Sequence, residues 1–274
     1  MHSQKALYII FQIIFIFISF MLIAFFQPVE KGWWIFKETI YYREYFTGIA
    51  FIIASFYMIL LTFWYDDSDN SFNWKISMRA LLLCGPIAVL LSYVIYALWN
   101  IVGFYEVETG WWIFKSKEKV ARNPIFYLFH ISGVIAGPVE EGAKLISVLM
   151  IPSVRKSIKN SKTGVFVVVL CAFGFAMVEN IRYFSLYEQF MIYRANPAHA
   201  VFSAVWGKAL GEWFNKQISF MKFLKYLFYG MALHAAWNYF ASFHGIIFLI
   251  LFIIVSFYGL YFIKKELRTV EKTA

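Results

Sequence analysis

The residues best suited to chemistry in this chain are three glutamates and two histidines that lie within long apolar stretches: Glu140, Glu141, Glu179, His199 and His234. A charged side chain at the centre of a bilayer costs about 2.5–3.5 kcal/mol on insertion scales, so this set indicates a shared polar cavity. In one interpretation, both histidines and Glu179 bind a divalent metal while Glu140 or Glu141 acts as general base on water. In the other, no metal is present and a glutamate activates water directly. Both interpretations predict hydrolysis inside a membrane.

One ammonium and two amide side chains complete the predicted catalytic set: Lys144, Asn180 and Asn238. Lys144 follows Glu140 by four residues, so the two could form an ion pair on one helix face. Asn238 likewise follows His234 by four residues and shares its face. Pro138 lacks a backbone donor, which predicts a kinked helix or a new helix start just before the glutamates.

Small residues recur at intervals of four beside these side chains, in two series: Gly133 with Gly137, and Ser203 with Gly207 and Gly211. Small residues along one face let two helices approach closely. We therefore expect close helix packing around the predicted site.

The elements that carry these residues are predicted to be transmembrane helices. The chain has 274 residues, of which 61% are hydrophobic and only 15% are charged, against roughly 25% charged in soluble domains. Apolar runs long enough to span a bilayer follow one another along the chain. The predicted fold is therefore all-α, a polytopic membrane helical bundle with about eight transmembrane helices, at residues 6–26, 47–64, 80–104, 125–151, 165–187, 198–214, 222–243 and 245–263.

We divide the chain into three parts that form one folded unit. They are an N-terminal transmembrane scaffold with spans one to three (1–123), a catalytic core with spans four to seven (124–243), and the final span with a basic cytoplasmic tail (244–274). The scaffold contains the sequence Gly-Trp-Trp-Ile-Phe-Lys twice, at 32–37 and 110–115. Tryptophan pairs beside lysine are typical of the membrane interface, so the repeats are predicted to be interfacial anchors. A lip that docks substrate is the alternative.

The net charge of +9 does not indicate a nucleic-acid partner, because the basic residues are scattered through the loops between helices. Lysine and arginine are more numerous in loops on the side that carries the N-terminus. This distribution predicts a multi-pass cell-membrane protein with both termini in the cytoplasm. Cys84 and Cys171 both fall inside predicted spans, where they are expected to be small packing residues. The sequence leaves the oligomeric state open.

Four short motifs resemble, in their order, those of the PrsW intramembrane proteases. Residues 140–144, Glu-Glu-Gly-Ala-Lys, resemble the E-E-x-x-K motif of that family. Residues 175–180 resemble its F-x-x-x-E-N motif. His199 and residues 234–238, His-Ala-Ala-Trp-Asn, resemble its two later histidine motifs. The resemblance covers roughly residues 124–243.

The resemblance implies a membrane-embedded peptidase related to the CAAX prenyl proteases. It implies roles for six residues: catalysis by Glu140 and Glu141, completion of the site by Glu179, His199 and His234, and support by Asn238. The implied partner, besides the lipid bilayer, is a membrane-anchored protein substrate. In the best-known case the substrate is an anti-sigma factor, whose first cut releases a sigma factor. The resemblance leaves open whether Zn²⁺, another divalent metal or no metal is bound.

Two other function classes remain open at this point. Buried Glu, His and Lys residues could form the relay of a proton-coupled transporter, but a relay predicts ionisable residues strung across the membrane and repeat-related broken helices. The same superfamily contains a non-catalytic scaffold subunit of γ-secretase, so the fold can exist without protease activity. The clustering in spans four to seven and the presence of all three glutamates favour an intramembrane endopeptidase.

Overall fold

A computed structural model describes residues 2–25, 29–31, 38–40, 43–65, 72–109, 116–131, 133–186, 197–241 and 246–268. Over these residues the protein is mostly helical, as the sequence predicted. The helices, numbered in chain order, are α1 His2–Phe25, α2 Arg43–Trp64, α3 Trp74–Arg79, α4 Gly85–Gly103, α5 Pro124–Ile131, α6 Ala136–Met150, α7 Pro152–Arg155, α8 Ser161–Leu186, α9 Ala198–Phe214, α10 Phe220–Ala241 and α11 Ile246–Arg268.

Several of these helices are suited to a bilayer. Within the described residues, four stretches are long and apolar enough to cross a membrane: Gln4–Phe25, Thr47–Trp64, Trp74–Gly103 and Ser161–Ile181. They identify a membrane protein, while the predicted count of about eight spans is not confirmed. Helix α6 is one reason why fewer stretches are found than the sequence predicted: it has only 15 residues and contains two glutamates and a lysine.

Helix α8 forms the centre of the bundle. Its residues from Val165 to Phe173 are all buried, because the segment is apolar on every side and is surrounded by other helices. It packs against α2, α4, α6, α9 and α11. One of these contacts stacks the ring of Tyr57 on α2 against Phe173, with centroids 4.9 Å apart. Helix α8 also carries Glu179, so the packing of α8 fixes the position of that carboxylate along the axis of the bundle.

The predicted fourth span, 125–151, is divided into two helices, α5 and α6. Between them Gly133 has a φ of +65°, a left-handed conformation that glycine adopts without steric cost. The backbone N–H of Ala136 donates to the Gly133 carbonyl at 3.1 Å as α6 begins. Pro138 lies in the first turn of α6, where its missing donor breaks no intrahelical hydrogen bond. Of the two predicted alternatives, a kink or a new helix start, the structure has the new start, and the glutamates lie in the second turn of α6.

Close helix packing around the site depends on glycine, as the sequence predicted. A Cβ atom added at Gly137 would lie 2.2 Å from the carbonyl oxygen of Met231, so a larger residue would push α6 away from α10. A Cβ atom added at Gly164 on α8 would lie 2.3 Å from the carbonyl oxygen of Gly207 on α9. These contacts hold α6 against α10 and α8 against α9.

Helices α3 and α4 belong to one continuous helical stretch that contains a π-helical turn at Ala80–Cys84. A π-turn adds one residue to the helical repeat. Directly after it, a Cβ atom added at Gly85 would lie 2.4 Å from the carbonyl carbon of Gly174. Helix α4 therefore crosses α8 in backbone contact, which fixes its position beside the site helices.

Two short antiparallel hairpins are present that the all-α prediction did not include. Strands β1 (Val29–Lys31) and β2 (Glu38–Ile40) pair with Lys31 opposite Glu38. Strands β3 (Phe104–Thr109) and β4 (Ser116–Ala121) pair with Thr109 opposite Ser116. In the sequence, one Gly-Trp-Trp-Ile-Phe-Lys repeat lies between the two strands of each pair. The repeats themselves lie outside the described residues, and their predicted interfacial role stays a prediction.

Candidate active site

Four helices place the predicted residues in the same half of the bundle. Glu179 lies seven residues before the end of α8, and His234 lies seven residues before the end of α10. His199 is the second residue of α9, and Glu140 is the fifth of α6. Seven residues of helix correspond to about 10 Å. The site therefore lies in the half of the bundle where α9 begins and where α8 and α10 end.

Glu141 is completely buried, and hydrogen-bond donors surround its carboxylate. Oε2 accepts from the Ser203 hydroxyl at 2.6 Å and from the indole N–H of Trp206 at 2.8 Å. Oε1 accepts from Lys144 Nζ at 2.7 Å and lies 2.9 Å from His234 Nδ1. Four contacts of this length fully satisfy the hydrogen-bonding capacity of a carboxylate. Because the contacting residues lie on α6, α9 and α10, Glu141 links these three helices.

Lys144 is also completely buried, and its contacts correct the predicted ion pair. Its ammonium pairs with Glu141, three residues earlier on α6, and not with Glu140 as the spacing of four suggested. The same Nζ lies 3.3 Å from His199 Nδ1 and 4.5 Å from the centre of the Phe175 ring. Both glutamates are buried, and Lys144 and Glu141 form the pair in which neither side chain is exposed. Lys144 therefore helps to hold Glu141 in place.

His199 lies between two carboxylates. Its Nε2 is 3.1 Å from Oε2 of Glu179, and its Nδ1 is 3.8 Å from Oε2 of Glu140. An ionised carboxylate only accepts hydrogen bonds, so we assign the ring hydrogen to Nε2, where it donates to Glu179. The lone pair of Nδ1 then points towards Glu140 and the ammonium of Lys144, which is consistent with the 3.3 Å contact.

His234 also lies between two carboxylates, but its Nδ1 has the shorter contact, whereas in His199 the shorter contact is at Nε2. Its ring is buried, with Nδ1 at 2.9 Å from Oε1 of Glu141 and Nε2 at 3.5 Å from Oε2 of Glu140. By the same argument Nδ1 carries the hydrogen and the lone pair of Nε2 faces Glu140. The ring packs on Phe202 at 5.2 Å and meets His199 edge to face at 4.9 Å, which restricts its rotation.

Glu140 differs from its neighbour because only one of its oxygens is engaged. Oε1 accepts a hydrogen bond from the Tyr96 hydroxyl at 3.1 Å. Oε2 is buried and has no hydrogen-bond partner within the described part of the chain. Ligand atoms of Glu140, His199 and His234 all lie within 4.8 Å of one another, a group that could hold a metal ion. Tetrahedral ligands at about 2.1 Å from zinc would lie about 3.4 Å apart, close to the separations of Oε2 from the ring nitrogens.

The two predicted amides lie around this group and not at its centre. Asn238 Nδ2 is 3.5 Å from the carbonyl oxygen of Gly133, so it contacts the break between α5 and α6. Asn180 is buried, and it lines a small cavity between α8 and α2 together with Ala50 and Ala54. The structure thus brings together Glu140, Glu141, Lys144, Glu179, His199 and His234, and the catalytic role predicted for the two amides stays a prediction.

Three residues of the site were not predicted from the sequence: Tyr96, Ser203 and Trp206. Ser203 and Trp206 follow His199 by four and seven residues, so helical periodicity could have placed them on the same face of α9. Ser203 had been noted only for its small size. Tyr96 lies on α4, in the predicted scaffold, and no nearby motif distinguishes it from the many other tyrosines of the chain.

Comparison with known proteins gives one match. The model of the PrsW-protease family, described as PrsW family intramembrane metalloprotease, matches residues 73–263. The match begins before α3 and therefore includes Tyr96 as well as the four motifs. No curated protein and no solved structure matches the chain.

Proposed function

Because this chain belongs to the PrsW family of intramembrane metalloproteases, we propose that it is an endopeptidase that hydrolyses a peptide bond of a membrane-anchored protein within the bilayer. The observation that carries this proposal is the bare, buried Oε2 of Glu140 opposite two histidine rings. A buried carboxylate oxygen without a donor is costly. The group is therefore suited to something that the described chain does not itself supply, a metal ion or a water molecule.

The charges of the cluster fit a divalent cation. Three carboxylates, those of Glu140, Glu141 and Glu179, accompany one ammonium, that of Lys144, in this set of contacts. With neutral histidines, three negative charges and one positive charge leave two negative charges, which a divalent cation would neutralise. Carboxylate and imidazole are also ligands that Zn²⁺ accepts.

We assign the ligands to Glu140, His199 and His234, and binding of an ion at His199 Nδ1 would replace the contact of that nitrogen with Lys144 Nζ. This assignment replaces Glu179 of the sequence-based expectation with Glu140, because Glu179 contacts the nitrogen of His199 that faces away from the cluster. Glu179 then orients the ring of His199, and Glu141 orients the ring of His234. Outer carboxylates of this kind fix the tautomer of a ligating histidine and raise its basicity.

A divalent cation held by these residues supplies Lewis acidity, which polarises a carbonyl group and lowers the pKa of water. The chain contributes the rest. Glu141 and Glu179 hold the two imidazole rings with their lone pairs inward. Lys144, fixed by Glu141, places a positive charge beside the cluster, where negative charge would develop on a peptide carbonyl during hydrolysis. In the metal-free alternative, Oε2 of Glu140 itself accepts a proton from water.

For the membrane topology we propose eight crossings, with α5 and α6 together forming one and both termini in the cytoplasm. The site then lies in the outer half of the bilayer, which suits a first, regulatory cut of an anti-sigma-factor-like substrate.

A cysteine introduced by Lys216→Cys, between α9 and α10, reports the orientation of the chain in the membrane, because the native Cys84 and Cys171 are buried. It should react with a membrane-impermeant maleimide only after cells are permeabilised. Labelling in intact cells would place this loop outside the cell and would show that the orientation is opposite to the one proposed.

The proposed activity can be tested without knowing the substrate. Membranes from cells that express wild-type protein or Glu140→Gln are compared by chemical labelling of new N-termini. Wild-type membranes should contain N-termini inside transmembrane segments that Glu140→Gln membranes lack, because general acid–base catalysis contributes about 10²- to 10⁴-fold. Glu212→Gln, a matched change at a glutamate of α9 outside the cluster, should behave as wild type.

Three outcomes decide between the remaining interpretations. The same new N-termini from wild type and Glu140→Gln would contradict the glutamate-dependent protease. Activity that survives thorough removal of metal by chelation would retain the protease and leave the metal-free route. A wild-type protein that produces no new N-termini when expressed with its native membrane proteins would favour the non-catalytic scaffold.

A further inference from the structure

Tyr96 reaches the site from a helix outside the four that carry the motifs. Its hydroxyl donates to Oε1 of Glu140 at 3.1 Å. No role is predicted for this residue from the sequence, and its helix belongs to the predicted scaffold. Among the described residues, this hydroxyl is the donor that engages the carboxylate of Glu140.

The position of the Tyr96 hydroxyl follows from the packing of α4. Val89, Ser92 and Tyr96 recur at intervals of three and four residues, so they share one face of the helix. Val89 belongs to a small core cluster with Ala143 on α6 and Phe175 on α8, which shows that this face points towards the site helices. The backbone contact between α4 and α8 at the π-turn end holds the helix at a fixed distance.

The hydrogen bond gives the two oxygens of Glu140 different functions. Oε1 is occupied by the phenol, while Oε2 remains bare at 3.5 Å from His234 Nε2 and 3.8 Å from His199 Nδ1. A carboxylate can bind a metal through one oxygen or through both. Engaging Oε1 from outside the cluster disfavours binding through both, and a position around the ion then stays available for water or substrate, as catalytic zinc sites require.

We propose that Tyr96 is a positioning residue that keeps Glu140 a one-oxygen ligand by holding its Oε1. This inference rests on the proposed metal-dependent function. It gives each of the three ligands an outer partner: Tyr96 for Glu140, Glu179 for His199 and Glu141 for His234. Tyr96 is the one neutral member of this trio, so Tyr96→Phe removes one hydrogen bond and leaves the charges of the cluster unchanged.

The test uses the full-length protein, purified in detergent micelles and stripped of metal. Zn²⁺ affinity is measured by competition with a chelating dye, and the visible absorption of bound Co²⁺ reports the number of ligand atoms. Tyr96→Phe should weaken Zn²⁺ binding by about 10- to 100-fold, the usual effect of losing an outer partner. Its Co²⁺ spectrum should be weaker than that of wild type, because binding through both oxygens raises the coordination number.

Tyr93→Phe provides the matched control. It removes a hydroxyl from the same helix, one turn earlier, where the side chain is 41% exposed. Zn²⁺ affinity and the Co²⁺ spectrum of this variant should equal those of wild type. An equal loss in both variants would indicate a general effect on α4 and would overturn the positioning role.

The outcomes separate this inference from the function on which it rests. Wild-type protein that binds neither Zn²⁺ nor Co²⁺ would refute the metal site itself. Wild-type binding with an unchanged affinity and spectrum in Tyr96→Phe would refute only the role of Tyr96. Should Tyr96→Phe fail to accumulate, Tyr96→Gln, which retains an N–H donor, is compared with Tyr96→Met, which does not. Tighter binding by Tyr96→Gln supports the proposal, and equal binding overturns it.

Discussion

The surroundings of Glu141 and Glu140 differ completely although the two residues are adjacent. Donors from α6, α9 and α10 fill the coordination of Glu141, and its partners Lys144 and Ser203 are themselves fully buried. Among the residues that the structure describes, Glu140 has one donor, from Tyr96, and its Oε2 has none. The comparison separates two uses of a buried carboxylate. A saturated one holds helices and rings in position, and an unsaturated one is able to bind or react.

The largest expected effect distinguishes the two glutamates by stability. Glu141→Gln should lower the free energy of unfolding by about 3–5 kcal/mol, because it leaves the buried ammonium of Lys144 without its counter-charge. Glu140→Gln should change it by less than about 1 kcal/mol, since it removes a buried charge that has only one hydrogen bond. Thermal unfolding of both variants in detergent, in the presence of chelator, measures the difference. Equal destabilisation of the two variants would contradict the distinction between a structural Glu141 and a Glu140 that binds or reacts.

A smaller effect is expected at Glu179, the outer partner of His199. Glu179→Leu should weaken Zn²⁺ binding by about 10- to 100-fold, because the ring of His199 loses the acceptor that sets its tautomer. Glu179→Gln should weaken it less, since the amide oxygen still accepts from Nε2–H. Competition with a chelating dye gives both affinities. A loss as large as that caused by Glu140→Gln would make Glu179 a ligand, as the sequence first suggested.

The smallest effect tests whether each donor to Glu141 contributes separately. Ser203→Ala removes one hydrogen bond to a charged group and should cost about 1.5 kcal/mol of stability, while Trp206 still donates to the same oxygen. Ser92→Ala is the control, because the Ser92 hydroxyl donates to the Val89 carbonyl of its own helix. Its unfolding temperature should match that of wild type. A Ser203→Ala variant as stable as Ser92→Ala would show that Glu141 is oversupplied with donors.

Much of the site could be predicted because ionisable residues in apolar sequence are rare and costly. That reasoning found Glu140, Glu141, Glu179 and both histidines, and Pro138 indicated the restart of the helix before the glutamates. It could not decide which carboxylate faces which nitrogen. The spacing of four favoured Lys144 with Glu140, whereas in the structure the ammonium contacts Glu141. Which glutamate faces Lys144 depends on the orientation of α6 about its own axis relative to the neighbouring helices. The sequence of one helix alone does not determine that orientation.

The residues that sequence reasoning missed are neutral donors. Tyr96 and Trp206 resemble ordinary membrane aromatics until a carboxylate is placed beside them, because their polar atoms carry no charge that would make burial conspicuous. The hairpins were missed for another reason. Their strands have only three to six residues and contain several charged side chains. A short alternation of apolar and acidic residues from Tyr105 to Glu108 in β3 was the one strand signal among them, and it was overlooked beside the long apolar spans.

The π-turn at Ala80–Cys84 has a consequence for how the two ends of its helix are oriented. One added residue corresponds to about 100° of rotation around the helix axis, so α3 and α4 present different sides than an uninterrupted helix would. Helix α3 can thereby contact α1 and α7, while α4 directs Tyr96 towards Glu140. Deleting a single residue from this turn would swing one end out of phase with the other, even though no residue of the site had been altered.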